Sequence, residues 1–326
     1  MTNQSIKRSD NNQHYGFEVV KSGMLALLQD KGRFGKHNIG LTTSGPIDKQ
    51  AFLSANYLCG NQDNDTVIEL TVGGLELKAK VNTEIAITGA KLPVTVNGKE
   101  QPQWQTLQVN SGDIISFGFV TSGMRVYIAV KGGFSVEQSF GSTATVTRES
   151  IGGLNGNKLA VKDFIHCENI DNSLLNNTLS LDETTYSNEI VLRVVLGYQH
   201  NDFTQVQKQM FFSSEYTVSE SCDRMGYRLD GPSTVPSITG ILSEGICLGA
   251  IQVPANGLPI ILMNDRQTIG GYPKIGSVLS IDLAKLGQCG QGAKVRFELI
   301  SIEQAHNLIT LENGKLERVK QSIKPL

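Results

Sequence analysis

Charged residues are scarce in this chain and aromatic residues scarcer still. Only 18% of its 326 residues are charged and 6% aromatic, and the formal net charge is −2. With no Lys/Arg cluster to carry a positive field, neither nucleic acid nor an anionic membrane is an expected partner, which leaves a small ligand. No segment approaches the roughly 18 apolar residues of a membrane span. The first fourteen residues are polar throughout and lack the apolar core of a secretory signal, so a cytoplasmic setting is expected. Cysteine is sparse and unpaired. Cys59, Cys167, Cys222, Cys247 and Cys289 are odd in number and far apart with no C-x-x-C, which fits reduced core thiols rather than disulfides or a zinc site, and no metal is expected. Also missing are G-x-x-x-x-G-K-[ST], G-x-G-x-x-G after a strand, G-x-S-x-G and H-E-x-x-H. Their absence disfavours a P-loop ATPase, a dinucleotide enzyme, an α/β-hydrolase and a zincin. The histidines (His14, His37, His166, His200, His306) are scattered, which makes a histidine-centred triad unexpected.

Glycine, by contrast, is abundant. Thirty-four glycines suit many short strands joined by tight turns, because glycine supplies the positive φ that such turns need. The expected fold is mainly β, a β-rich α+β protein, and the length suffices for two domains with separate cores. Short alternating or apolar runs at 24–28, 67–72, 84–87, 94–96, 113–119 and 125–130 read as strands, and Asn97-Gly98 as a type I′ hairpin turn. Ile47, Ala51, Phe52, Ala55 and Leu58 fall on one face of a helix over 48–59, with Ser44 or Asp48 able to cap it and Gly60-Asn61 ending it. Polar material at 168–188 marks a domain boundary, giving an N-terminal β-rich domain over 15–185 and a C-terminal β domain over 189–312. Beyond it, 204–213 reads as a short helix, 189–195, 259–263, 278–283 and 294–302 as strands, and 303–311 as a closing helical turn.

An internal duplication is testable at an offset of 175. This shift lays Ser44 on Ser219, Asp48 on Asp223, Lys49 on Arg224, Phe52 on Tyr227, Glu69 on Glu244 and Gly74 on Gly249.

Chemistry-bearing side chains concentrate at 265–276, Asp-Arg-Gln-Thr-Ile-Gly-Gly-Tyr-Pro-Lys-Ile-Gly, directly after the apolar run 258–263. Arg266 and Lys274 suit a carboxylate or phosphate, and Asp265 could act as a base. The Gly270-Gly271 pair would let backbone N–H groups approach a ligand. The alternative is an irregular turn with a surface ion pair. At 222–231, Arg224 and Arg228 with Tyr227 between them could grip an anion, or could belong to a self-neutralising solvated face with Asp223 and Asp230. Thr42 to Lys49 at a helix start could be an anion site or an ordinary N-cap, with the cap favoured. Glu69 in Val67-Ile68-Glu69-Leu70 points to solvent by alternation or sits in a cleft with a raised pKa.

These residues closely resemble the allophanate hydrolase subunit 2 family, also described as the biotin-dependent carboxyltransferase family and as the 5-oxoprolinase C-subunit family. The resemblance runs over about 18–302. It is carried by Gln29-Asp30-Lys31-Gly32-Arg33-Phe34-Gly35, Ser44-Gly45-Pro46-Ile47-Asp48, Ala55-Asn56 with Gly60-Asn61, and Glu69 with Gly73-Gly74. It continues through Ala129-Val130-Lys131-Gly132-Gly133, Gly141-Ser142 to Gly152-Gly153, Asp223 to Pro232, Gly249 to Pro254 and the 265–276 stretch. The resemblance implies two domains of cyclophilin-like β-barrel character. It also implies a non-autonomous subunit of an ATP-dependent 5-oxoprolinase that opens 5-oxoproline to glutamate, with two partners: a sister subunit of the allophanate hydrolase subunit 1 family and the 5-oxoprolinase A subunit. ATP would be bound by the complex rather than by a P-loop of this chain. Family members also include an antagonist of a sporulation-kinase inhibitor, which implies a regulatory binder, and the carboxyltransferase region of urea carboxylase. That last activity needs biotin on a carrier with an A-M-K-M-like segment, which is absent here. In the 5-oxoprolinase reading, Asp265, Glu69 and Lys274 are the catalytic candidates, for proton transfer and for a phosphate or oxyanion. Arg224 or Arg228 would hold the substrate carboxylate. Tyr227, Arg266, Gln267, Thr268, Gly270, Gly271, Tyr272, Ser44 and Asp48 complete the expected substrate-binding set.

Overall fold

The computed structural model describes residues 15–169, 175–179 and 186–325. Two stacked sheets build the N-terminal half. One runs in the order Phe134–Ser135, Phe164–Cys167, Gly16–Ser22, Leu75–Ala79, Ile114–Phe117, Val94–Val96, Lys99–Gln101. The other runs Leu25–Gln29, Val67–Thr71, Ser122–Val130, Thr83–Lys91, Thr106–Val109. Their facing side chains, among them Phe17, Leu28, Ile68, Leu77, Ile87, Ile115 and Val126, form one buried cluster. The Asn97-Gly98 turn joins two antiparallel strands with φ of 51° and 78°, the pair of positive values a type I′ turn requires. Helix α1 (Lys49–Leu58) covers the outer face of the five-stranded sheet, where Phe52, Ala55 and Leu58 pack with Val67, Tyr127 and Ala129.

In the C-terminal half seven strands close into a barrel. Their order is Glu189–Leu196, Lys274–Val278, Ala250–Gln252, Ile260–Leu262, Gly226–Asp230, Glu215–Cys222, Lys294–Leu299, and a parallel pairing of the last strand with the first closes the ring. Closure removes the edges that open sheets must protect. Leu192, Val194, Tyr216, Tyr227, Ile261, Ile275 and Phe297 fill the interior. Helix α2 (Gln205–Ser213), capped by a reciprocal Thr204–Gln207 box, inserts Phe211 against Phe297, with ring centroids 4.3 Å apart.

Three expectations need correction. The strand read at 278–283 is a 3₁₀ turn, Ser280–Asp282, followed by helix α3 (Leu283–Gly287). The strand lies earlier, at Lys274–Val278, because barrel closure pairs that segment with both Glu189–Leu196 and Ala250–Gln252. The turn expected at 303–311 is a twenty-residue helix, α4 (Ile302–Gln321), started by a Ser301–Gln304 capping box. It runs past residue 312, and its Leu316 and Val319 pack on the α1 cluster of the N-terminal half. The offset of 175 lays helix α1 onto the Asp223 turn and the strand Gly226–Asp230, so the Asp48, Lys49 and Phe52 pairs do not occupy equivalent places. The 168–188 boundary lies partly outside the described residues. Among the described residues no helix is long and apolar enough to cross a membrane. All five cysteines are free. Cys59, Cys167 and Cys289 are core thiols, while Cys222 is half-buried and Cys247 exposed.

Candidate functional site

The 265–276 stretch does not act as one loop. Its first two residues turn inward between the two halves, the middle is exposed, and Lys274 sits on a barrel strand.

At the inward end, the Arg224 guanidinium is saturated. Nε and Nη2 donate to the two oxygens of Asp265 at 2.8 and 3.0 Å, Nη2 also donates to Gly45 O and Ser44 Oγ, and Nη1 pairs with Glu69. Glu69 lies in the strand Val67–Thr71 of the other half. It also accepts from Tyr127 OH at 2.8 Å and Ile47 N at 3.1 Å, and lies 3.8 Å from Arg125 Nε. Tyr127 OH in turn accepts from Asp48 N. Asp48 caps α1 through Ala51 N and accepts from Tyr186 OH and Gln288 Nε2. Gln288 Oε1 takes the backbone N–H groups of Met124 and Arg125, and Arg125 Nη1 donates to Tyr227 OH at 2.9 Å. Asn264 Nδ2 adds contacts to the carbonyls of Ser44, Gly45 and Pro46.

Ser44, Asp48, Glu69, Arg224, Tyr227 and Asp265 thus meet, but in a closed polar seam rather than an open cleft. Each is at most 5% exposed. Burial alone would push the Glu69 carboxyl up, but Arg224 and Arg125 hold it below the usual glutamate value, so it is ionised and paired rather than poised to carry a proton. Burial pushes Asp48 up, against its hydrogen bonds from Gln288, Ala51 and Tyr186. Asp48 takes the cap role expected at the helix start. Arg224 and Arg228 do not grip one ligand. Arg224 sits at the hairpin turn facing the seam, whereas strand alternation turns Tyr227 into the barrel and leaves Arg228 exposed. Asp48→Ala should cost about 2–3 kcal/mol in a urea titration, from a lost cap and buried donors left without an acceptor. A loss below ~0.5 kcal/mol would contradict the role given to this carboxylate.

The middle of the stretch serves the rim. Gly270 pairs with Glu244, and Gly271 O accepts from Ile241 N, so both glycines make backbone contacts within the protein. A Cβ on Gly270 would lie 2.4 Å from Ile246 Cδ1. Gln267 and Tyr272 are exposed and Thr268 is half-buried.

The open chemistry is at Lys274. Ile275 and Val278 pack in the barrel core, and a register shift against Ala250–Gln252 breaks the alternation between them, so Lys274 and Ser277 line a cavity of about 900 Å³ together with Tyr198, His200, Glu244 and Cys247. Lys274 forms an ion pair with Glu244, which accepts a second bond from Gln199 Nε2 at 3.1 Å. The Lys274 ammonium beside it holds the Glu244 carboxyl below its usual value. Cys247 Sγ lies 3.2 Å from Ser277 Oγ, and the buried His200 Nδ1 has no hydrogen-bond partner among the described residues. Glu244, Cys247, Ser277 and His200 carry no motif that marks them as candidates in the sequence. Glu244 surfaces there only through the offset comparison with Glu69. A second cavity of about 560 Å³, beside Asp48 and Tyr186, has its cations already paired, Arg193 and Lys285 on Asp282 and Lys315 on Glu312. No cluster of three or more metal-ligand side chains occurs among the described residues.

The family model for the carboxyltransferase domain, subdomain A and B, matches residues 39–299. The chain is 32% identical over 299 residues to the 5-oxoprolinase C subunit of Haemophilus influenzae, covering 91% of this chain and 96% of that protein. Identity to the 5-oxoprolinase C subunit of Escherichia coli is 32% over 289 residues, covering 88% and 92%. The crystal structure of the K. lactis urea amidolyase superposes with a TM-score of 0.87 at 26% identity. That match covers 97% of this chain but spans only 21% of the amidolyase.

Proposed function

This chain belongs to the carboxyltransferase domain family, subdomain A and B, and from that premise we propose that it is one subunit of a heteromeric, ATP-dependent 5-oxoprolinase that opens 5-oxoproline to glutamate. The observation that carries the reading is coverage. The two bacterial 5-oxoprolinase relatives align over 96% and 92% of their own lengths, whereas most of the urea amidolyase lies outside the match. The partners proposed are a sister subunit of the allophanate hydrolase subunit 1 family and the 5-oxoprolinase A subunit, with ATP a substrate of the complex.

Within this chain the reading places substrate at the Lys274 cavity. Lys274 is a nearly buried lysine on the wall of that cavity, where charge–charge interactions are stronger than in water. It would stabilise the negative charge that develops on a lactam or phosphoryl oxygen, with Glu244 as the group that orients it. Asp265 and Glu69 are assigned a positioning role, fixing the two halves through Arg224, because both are engaged by arginine and closed to solvent.

A carboxyltransferase component is the second reading, favoured by the superposition on urea amidolyase. It would need biotin delivered on another chain. Co-expression of the tagged chain with the two proposed partners separates these readings. The 5-oxoprolinase reading expects co-purification and release of ADP and glutamate from 5-oxoproline. Transfer from carboxybiotin to urea instead would support the second reading, and an assembled complex with no turnover would support a regulatory binder.

A further inference from the structure

Four arginines are buried among the described residues. Three are taken up by the protein. Arg33 donates to the carbonyls of Ser139, Ser142 and Ala144, and Arg125 and Arg224 belong to the Glu69 seam. Arg266 differs. It is 6% exposed, and among the described residues the one hydrogen bond of its guanidinium runs from Nε to Ile246 O at 3.1 Å and no carboxylate forms an ion pair with it. A largely buried guanidinium without a counter-ion is costly. Consistent with that cost, burial pushes the Arg266 pKa down.

Arg266 lines a cavity of about 480 Å³ between the two halves. That volume fits a metabolite-sized ligand. Lys31 and Lys49 add positive charge to the wall and Glu312 is its one carboxylate, with Lys31 already on Asp63 and Glu312 on Lys315. Thr43 supplies a hydroxyl and Asn264 an amide, while Leu248, Leu283, Ile309 and Leu316 add apolar wall. Free guanidinium donors, surplus positive charge and an apolar body together describe the complement of an amphiphilic anion.

We propose that this cavity is an anion-binding site, separate from the Lys274 cavity, that takes a small organic carboxylate or phosphate monoester with its anionic head on Arg266 and its apolar body against Leu248 and Leu316. The proposal stands whichever reaction the assembled protein serves. Three consecutive residues join the two cavities. Arg266 holds the carbonyl of Ile246, Cys247 lines the Lys274 cavity and Leu248 lines this one. Occupancy here therefore has a short, direct route to the other site.

Titration calorimetry on the folded full chain tests it, with benzoate, phenyl phosphate and neutral benzamide as probes. At least one anion should bind with one-to-one stoichiometry and on the order of tenfold or more tighter than benzamide, because a charge-assisted bidentate contact is lost with the neutral probe. Arg266→Gln should weaken that anion by on the order of tenfold, whereas Lys274→Gln should leave it within about twofold. Should Arg266→Gln fail to fold, Leu248→Trp, which fills the cavity from a half-buried wall position, should abolish binding. Anions that bind no better than benzamide, unchanged affinity in Arg266→Gln or Leu248→Trp, or a loss that follows Lys274→Gln would each overturn the assignment.

Discussion

Arg224→Met is expected to lower folding stability by about 3–5 kcal/mol at neutral pH, because it leaves Asp265 and Glu69 as buried carboxylates without their main counter-ion. Arg125, at 3.8 Å, is the cation that Glu69 retains. Against a total stability of ~5–15 kcal/mol, that loss is a large fraction of what holds the fold. Arg228→Ala, four residues along on the exposed face, should change stability by less than ~0.5 kcal/mol. Urea midpoints measured side by side check the contrast. Equal effects from the two arginines would mean that the seam does not hold the halves together. The pH dependence follows with opposite signs for the two carboxylates. Glu69 is held below its unfolded value, so its contribution is present above an unfolded pKa of about 4.3 and is lost as pH falls through the lowered folded value. Asp48 is raised, so the proton-linked part of its contribution is present below its unfolded value of about 3.9 and is lost as pH rises through the raised folded value, while its cap and buried hydrogen bonds remain. Glu69→Gln should therefore flatten the acid limb of the stability profile.

Lys274→Gln is expected to lower kcat/KM of the assembled complex by on the order of 10²–10³, the effect of removing one preorganised donor from developing negative charge. Most of that loss should fall on kcat. The melting midpoint should move little, because Lys274 faces a cavity rather than the barrel core and its partner Glu244 can be resolvated. Full activity in an intact Lys274→Gln complex would place the chemistry elsewhere. An equal fall in stability would make Lys274 structural.

The elements are legible in the sequence wherever local pattern and tertiary demand agree. Helix α1 follows from the spacing of Ala51, Phe52, Ala55 and Leu58 together with the Asp48 cap, and the Asn97-Gly98 hairpin from two residues that tolerate positive φ. Helix α4 reads as shorter than it is because its apolar residues are sparse, although Ser301 and Gln304 spell a capping box that marks its start. The Lys274 strand is hidden because Gly and Pro flank it, and only barrel closure reveals its pairing. Density of polar residues points to Asp265 and Arg224, and a carboxylate within an apolar strand to Glu69, but sequence carries no burial, and burial is what separates a sealed ion-pair network from an open site. The motif Gln29-Asp30-Lys31-Gly32-Arg33 shows the same limit. Asp30 and Arg33 tie their loop to residues 139–145 through the backbone and Ser142 rather than facing a ligand. Arg125 has a readable signal, a cation opening the apolar run 125–130, whereas Gln288 and Tyr186 act through contacts 164 and 138 residues away along the chain.

The most direct measurement of the central claim is glutamate release from 5-oxoproline, with ADP counted in parallel, by the purified partner proteins with and without this chain. The account predicts turnover coupled to ATP only when the chain is present and assembled. Equal glutamate release in its absence, or none from a fully assembled complex of folded proteins, would contradict it.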